Sequence, residues 1–267
     1  MKELGSPPVH ENVLQRLASA PCVFFFLDYD GTLAPIAPRP ELAQPAPEAT
    51  ATVESLAALP RVHVAVVSGR RVQDLRALFP VTGAHYIGAH GAELCTPEGA
   101  CRLSVDSEQF VPLLARVRQC LENEFQPLPG VWIEDKGISL ACHFRLASPQ
   151  DRARVQSIVQ RVHGTLHAAG APLEILEGHC VIEFRPRGVN KGTAVLNLLQ
   201  AYNPECLPVY AGDDRTDEDA FRALAGRGIT IRVGPCNEPT AAEYILPDPT
   251  ALVAFLKEAQ RALLQRG

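Results

Sequence analysis

The sequence predicts an α/β fold: a doubly wound, Rossmann-like parallel sheet with an α+β domain inserted into it. Three observations carry this reading. Short apolar runs at 23–27, 62–67 and 207–212 have the length and the aromatic or β-branched content of strands buried on both faces. Stretches of helical periodicity alternate with these runs, which implies parallel crossovers. Each run ends in polar residues: Asp28 with Asp30, then Ser68, then Asp213 with Asp214.

The elements follow in order. Residues 9–19 place Val13, Leu14 and Leu17 on one helical face. Asp28 marks the C-terminal end of the run that precedes it, since a strand buried on both faces does not carry a carboxylate in its middle. An Asp-Gly hairpin turn is the competing reading of this stretch. Residues 34–47 are rich in proline and form a surface loop. A helix near 48–59 buries Val53, Leu56, Ala57 and Leu59. The strand at 62–67 runs into Ser68-Gly69-Arg70, and a helix near 71–79 follows. Glycines through 86–94 mark either a short strand that turns or a close approach of backbone. His90, among them, is either structural or part of a site.

The pattern changes after residue 97. A helix near 107–124 carries Phe110, Leu114, Val117 and Leu121 on one face, with Pro112 close to its first turn. Alternating stretches at 131–135 and 138–144 flank Lys136-Gly137, which reads as a hairpin turn. A helix at 149–169 opens on Ser148, Pro149 and Asp151, an N-cap, a first-turn proline and an acid. Strands at 173–176 and 180–184 flank Glu177-Gly178-His179. Helix and hairpin, twice over, is an antiparallel pattern. Residues 98–185 therefore read as a domain inserted into a core made of 1–97 and 186–267. The parallel pattern resumes with a helix entered at Asn190-Lys191-Gly192, the strand at 207–212, a helix start at 216–219, a strand at 229–233 and a closing helix near 250–265. Asp217, in the first turn of its helix, either caps it or orients the acidic cluster.

Composition narrows the function classes. At 267 residues, 46% hydrophobic and 21% charged, the chain has room for one large α/β domain or two smaller ones. A net charge of -5 lacks the basic footprint of a nucleic-acid binder. No apolar run approaches transmembrane length, and the polar, proline-containing start lacks a signal-peptide pattern. The expectation is a cytoplasmic protein with no membrane partner. The eight cysteines show no C-x-x-C spacing, and Cys22, Cys142 and Cys180 fall in apolar runs. All are expected as reduced thiols.

Parallel strands bring Asp28, Asp30, Ser68, Asp213 and Asp214 to one edge of the sheet. Carboxylates gathered there repel one another unless a hard cation sits among them, and oxygen ligands favour Mg²⁺ over zinc. Lys191, at a helix start, reaches the same edge, and Ser68 with the neighbouring backbone N–H groups supplies hydrogen-bond donors. A carboxylate nucleophile, Mg²⁺, a lysine and a hydroxyl together suit the equatorial oxygens of a transferring phosphoryl group.

D-Y-D-G-T-L at 28–33, S-G-R at 68–70, N-K-G at 190–192 and G-D-D-x-T-D-E-D-A-F at 212–221 resemble the haloacid-dehalogenase-like (HAD-like) phosphatases. The fuller match, over nearly the whole chain, is similar to the trehalose-6-phosphate phosphatase family. That resemblance implies a HAD-like core with a substrate-specificity cap, and a Mg²⁺-dependent hydrolysis of trehalose 6-phosphate to trehalose and phosphate. It implies Asp28 as the nucleophile that forms an aspartyl-phosphate, and Asp30 as the acid and then the base. The metal falls to Asp28, the Asp30 backbone carbonyl and Asp213, with Asp214 assisting, and the phosphate to Ser68 and Lys191. In the inserted domain Glu134, Lys136, Arg145 and Glu183 resemble the family's sugar-binding cap residues. Gly69, Arg70 and His90 stand as further substrate-side candidates, with a surface salt bridge as the alternative for Arg70, and also for Arg187.

The rivals are a phosphatase for glucosylglycerol or mannosylglycerate phosphate, a phosphomutase, and a sugar-phosphate sensor without turnover. A trehalose-6-phosphate synthase is the implied functional link upstream.

Overall fold

In the computed structural model, which describes residues 1–265 apart from 38, 179, 236 and 237, the chain opens with β1 (Lys2–Glu3), α1 (Pro7–Ser19) and β2 (Val23–Asp28). Next come α2 (Pro47–Ala57), β3 (Val62–Val67), α3 (Val72–Leu78), β4 (His85–Gly88), β5 (Glu93–Cys95) and β6 (Cys101–Leu103). The middle holds α4 (Ser107–Phe125), β7 (Trp132–Asp135), β8 (Leu140–His143), α5 (Pro149–Ala168), β9 (Leu173–Gly178) and β10 (Val181–Pro186). The chain closes with α6 (Lys191–Tyr202), β11 (Leu207–Gly212), α7 (Glu218–Ala223), β12 (Ile229–Val233), β13 (Tyr244–Leu246) and α8 (Pro249–Leu264). Two compact units result, residues 1–102 with 190–267, and residues 103–189.

The first unit is built on a nine-stranded sheet in the order β1-β13-β12-β11-β2-β3-β4-β5-β6. All pairings from β1 to β4 are parallel, and β5 returns antiparallel to β4. Successive residues of a strand face opposite ways, and β2 shows the consequence. Val23, Phe25 and Leu27 pack with Val13 and Leu17 of α1, Val53 and Leu56 of α2, and Leu252 and Phe255 of α8. Phe24 and Phe26 point the other way, into Val195, Leu198 and Leu199 of α6 and Phe221 of α7. Helices on both faces explain why β2 is apolar at every position until Asp28. The doubly wound sheet expected from the sequence is what forms.

The second unit carries the sheet β7-β8-β10-β9, antiparallel throughout. Its apolar face, with Leu140, Cys142, Ile182 and Phe184, packs on α4 (Phe110, Leu114, Val117, Leu121) and α5 (Val155, Ile158, Val159, Val162). Helix α5 starts where its cap predicts, with the Asp151 N–H donating to Ser148 Oγ at 3.1 Å. Pro112 lies in the second turn of α4 rather than the first. Glu177 and Gly178 belong to β9, while His179 of the connection, and Pro38 of the proline-rich loop, lie outside the described residues.

The cysteine expectation needs correcting. Cys22–Cys206 and Cys95–Cys101 are disulfides, whereas Cys142 is a buried free thiol, Cys180 is half-buried and Cys120 exposed. Cys236 lies outside the described residues. The reason is register. Val23 of β2 is paired with Leu207 of β11, so the residues just before them, 184 apart in sequence, are brought side by side. No local spacing rule detects such a pair. None of the described helices is long and apolar enough to cross a membrane.

Candidate active site

Strand β2 is flanked by β3 on one side and β11 on the other, so the chain order reverses at β2. Ligands bind beyond the C-terminal strand ends at such a switch point. Asp28 ends β2 there, only 3% exposed, with Ser68 following β3 and Asp213 following β11. Helix α6 delivers Lys191 to the same place. A capping box holds its start: Asn190 Oδ1 accepts from Thr193 N–H at 2.8 Å, and Thr193 Oγ1 accepts from Asn190 N–H at 3.1 Å. Lys191, 3% exposed, donates to Asp28 Oδ1 at 2.7 Å and to Asp217 Oδ1 at 2.8 Å.

Asp217 is the hub of the cluster. It is fully buried, and its Oδ1 also accepts from Tyr210 Oη at 2.6 Å. Its Oδ2 accepts the backbone N–H groups of Asp213 and Asp214, both at 3.0 Å. It gives no capping hydrogen bond to its own helix. Asp214 braces the turn that leads into the helix. Its Oδ1 accepts from Thr216 N–H at 2.8 Å, from Thr216 Oγ1 at 2.6 Å and from Asp217 N–H at 3.2 Å. Of the two sequence alternatives for Asp217, the geometry selects the orienting one. Asp214, expected beside the metal, has one carboxylate oxygen committed to the turn.

Ligand oxygens of Asp28, Asp213 and Asp217 lie within 4.8 Å of one another. Crowding marks their protonation. Burial, then the Asp217 charge, pushes the Asp28 carboxyl well above the usual carboxylate range, with Lys191 pulling back. Asp213 is pushed up to about 7 by burial and by Asp217 and Asp214. Asp217 rises to about 6, burial outweighing Lys191. For Lys191, burial opposes the charge, but Asp217 and Asp28 more than reverse it and raise its pKa. The donor set is oxygen only, and its repulsion is what a hard divalent cation relieves, so Mg²⁺ fits these residues. Of these three, Asp217 has both oxygens occupied by donors, which leaves Asp28 and Asp213 of the trio to hold a metal. Gly31 makes room for Asp213: it sits at φ 84°, and a methyl group there would overlap the Asp213 carboxylate.

Arg70 clamps Asp30. Its Nε donates to Oδ2 at 2.7 Å and its Nη2 to Oδ1 at 2.5 Å, while the guanidinium lies 5.6 Å from the centre of the Tyr29 ring. The salt bridge weighed as the alternative for Arg70 is thus present, and it falls on the second aspartate of the D-Y-D motif. Ser68 Oγ accepts from Arg70 N–H at 3.1 Å, and the Ser68 carbonyl accepts from His90 N–H at 3.1 Å. The His90 ring sits against Gly69, where a side chain would collide with it, and His90 itself is in the left-handed region at φ 56°. The glycines of 86–94 also serve close approach, since a methyl group on Gly88 would collide with the backbone of Arg70 and Val72, and one on Gly91 with the Asn190 carbonyl.

In the second unit the sheet face turned away from the helices carries two cross-strand rows. Trp132, His143 and Val181 form one; Glu134, Ala141 and Glu183 form the other. Trp132 stacks on His143 with ring centroids 4.8 Å apart, and Glu134 Oε2 lies 2.8 Å from His143 Nε2. Lys136 Nζ donates to Glu183 Oε2 at 2.8 Å, and Ser139 Oγ to Oε1 at 2.6 Å. Three of the four expected residues therefore share this face. Arg145 is not brought to them; it is exposed after β8, and its backbone carbonyl accepts from Arg152 Nη2 at 2.7 Å. Arg187, also weighed as a salt bridge, instead approaches His167 Nδ1 at 3.1 Å. Trp132, His143, Ser139 and Tyr210 were not singled out from the sequence. The period-two pattern of 131–135 and 138–144 places the first three on one face once the hairpin is drawn.

The core, a parallel sheet with an acidic switch point, has the fold of the haloacid-dehalogenase-like proteins. One of them, a hydrolase from Bacteroides thetaiotaomicron, aligns over 88% of this chain and 98% of its own, with a TM-score of 0.62 and 17% identity, a likeness of fold alone. The model of the trehalose-phosphatase family matches residues 26–250, and the chain belongs to that family. A trehalose-phosphate phosphatase of Mycobacterium avium is 36% identical over 260 residues, covering 92% of this chain. The chain spans 63% of that relative's length. The structure of the Aspergillus fumigatus trehalose-6-phosphate phosphatase aligns over 94% of this chain and 97% of its own, with a TM-score of 0.73 and 27% identity.

Proposed function

We propose that the chain is a Mg²⁺-dependent phosphoric monoester hydrolase that converts trehalose 6-phosphate to trehalose and phosphate. The observation that carries the chemistry is Asp28, a buried carboxylate at a switch point, held at one oxygen by Lys191. No described residue donates a hydrogen bond to its second oxygen, Oδ2, which is thereby presented for attack. The substrate rests on membership of the trehalose-phosphatase family.

In this reading Asp28 attacks phosphorus, an Asp28–phosphate bond forms, and the bond from phosphorus to the sugar oxygen breaks. Asp30 gives that oxygen its proton. Asp30 then takes a proton from water, which attacks phosphorus, releases phosphate and restores Asp28. The Arg70 clamp engages both Asp30 oxygens, so in this reading one of them turns from Arg70 to the leaving-group oxygen during the cycle. Ser68 and Lys191 bind the phosphoryl oxygens. Asp28, Asp213 and the Asp30 backbone carbonyl are the groups to hold Mg²⁺, which when bound neutralises charge on the transferring group. Gly69 and His90 shape the loop that carries Ser68.

The test is phosphate release from a panel containing trehalose 6-phosphate, glucosylglycerol phosphate and mannosylglycerate phosphate, with Mg²⁺ and with chelator. Trehalose 6-phosphate is expected to turn over alone, and only with metal. Turnover of another member instead would move the substrate while keeping the chemistry. Binding without turnover would make the chain a sensor.

The polar sheet face of the second unit is proposed to recognise the sugar. Replacing Glu134 and Lys136 together by alanine is expected to raise KM for the sugar phosphate about tenfold or more, the cost of two charge-assisted hydrogen bonds. A small aryl phosphate, which has no sugar hydroxyls to recognise, should be hydrolysed nearly as before. Equal losses on both substrates would exclude the sugar-recognition role.

A further inference from the structure

At the sheet edge opposite the acidic cluster, Cys22 precedes β2, Cys206 precedes β11, and His63 lies on β3. Their Sγ and ring-nitrogen atoms all fall within 4.8 Å of one another. We propose that, once the Cys22–Cys206 disulfide is reduced, these three side chains form a binding site for a soft divalent cation of the zinc class.

Several features support the site. The three residues come from three adjacent parallel strands, so the backbone hydrogen bonds of the sheet fix their spacing. Register pairs Phe24 with His63, and the His63 ring is held between Phe24 and Tyr202, at 5.4 and 5.3 Å between centroids. Neither ring nitrogen of His63 has a hydrogen-bond partner among the described residues. Burial lowers the His63 pKa, which keeps the imidazole neutral with a lone pair to donate.

The ligand chemistry is distinct from that of the catalytic cluster. Two thiolates and an imidazole select zinc-like ions, whereas Mg²⁺ prefers oxygen. A tetrahedral zinc ion sets two sulfurs about 3.8 Å apart and a sulfur and a nitrogen about 3.5 Å apart, so reduction must let the two bonded sulfurs separate, while His63 already lies within 4.8 Å of both. Solvent would take the fourth position. The balance is closed by a thiol reductant. Two thiols pass two electrons and two protons to the Cys22–Cys206 bond and become a disulfide themselves. The cation then displaces one proton from each freed cysteine. Oxidation of the pair reverses this and expels the ion, so the site exists only in the reduced chain.

The test uses the whole chain with Cys95→Ser and Cys101→Ser, to remove the other disulfide pair, in excess Mg²⁺ to occupy the oxygen cluster. Cobalt(II) is titrated into reduced protein under inert gas. One ion per chain is expected to bind with a thiolate-to-cobalt charge-transfer band, displaceable by zinc and missing in unreduced protein. Cys22→Ser and Cys206→Ser should each weaken the band, and His63→Ala should lower cobalt affinity at least about tenfold. Mg²⁺-dependent phosphate release in each variant reports that it is folded. A reduced protein without the band overturns the proposal. So does a band unchanged in both serine variants, or an affinity unmoved in His63→Ala. All three readouts are independent of which sugar phosphate the enzyme hydrolyses.

Discussion

Replacing Asp28 by asparagine is expected to reduce phosphate release by about 10⁴-fold or more, the scale at which removing a catalytic nucleophile acts. The amide has the size of the carboxylate, so the loss is one of chemistry rather than shape. It cannot form the acyl-phosphate bond, and no other described carboxylate at the cluster has an oxygen in its place: Asp217 is saturated by four donors. The same substitution should leave the protein at least as stable as the parent when metal is chelated. Asp28 is a buried charge that Asp217, Asp213 and Asp214 repel, and Lys191 keeps Asp217 as its partner. A thermal midpoint equal or higher, with turnover gone, separates a functional residue from a structural one. Residual turnover within tenfold of the parent would move the nucleophile elsewhere.

The strands that position this site were legible because each is buried on both faces. Continuous apolar runs at β2, β3 and β11 leave little else to be, and a carboxylate at the end of such a run has to be where the sheet meets solvent. The short strands β1 and β13 at one end of the sheet, and β5 and β6 at the other, went unread for the converse reason. They are two or three residues long, too short for a period to show, and pair only because the rest of the sheet exists. Asp217 illustrates a different limit. First-turn acids and buried hubs look alike in a sequence. Gly212, pressed against the Asp217 side chain, and Tyr210, which bonds to it, distinguish the two only after folding. The Arg70 clamp and the Cys22–Cys206 pair belong with it, as contacts between strand ends that are distant in sequence. The sugar-side face is intermediate. Alternation placed Glu134 in it, but only the pairing of β7, β8 and β10 puts Glu183 in the same row.

Replacing Lys191 by methionine is expected to give the largest loss of stability, about 3–5 kcal/mol near neutral pH with metal chelated, as for a buried ion pair broken from one side. For a chain of this size that is a fall in Tm of roughly 10 °C. Methionine fills the aliphatic part of the space, so the cost is electrostatic: Asp28 and Asp217 lose the cation that, among the described residues, is bonded to both. The sign of the pH dependence tests this. Both carboxyls already lie above their ordinary value of 3.8 in the folded protein, and without Lys191 they rise further. The folded state then holds protons that the unfolded chain has released, so the variant's stability falls as pH rises from about 4 through the raised values. Lys191 itself, with its pKa raised, contributes fully at every pH below its unfolded value of 10.5. It adds no slope to the parent between pH 5 and 8. Urea midpoints of parent and variant in chelator should therefore converge toward pH 5 and diverge toward pH 8. A deficit that does not change with pH would mean that Lys191 acts by packing alone, and the reading of the cluster as an electrostatic cradle for phosphate and Mg²⁺ would lose its support.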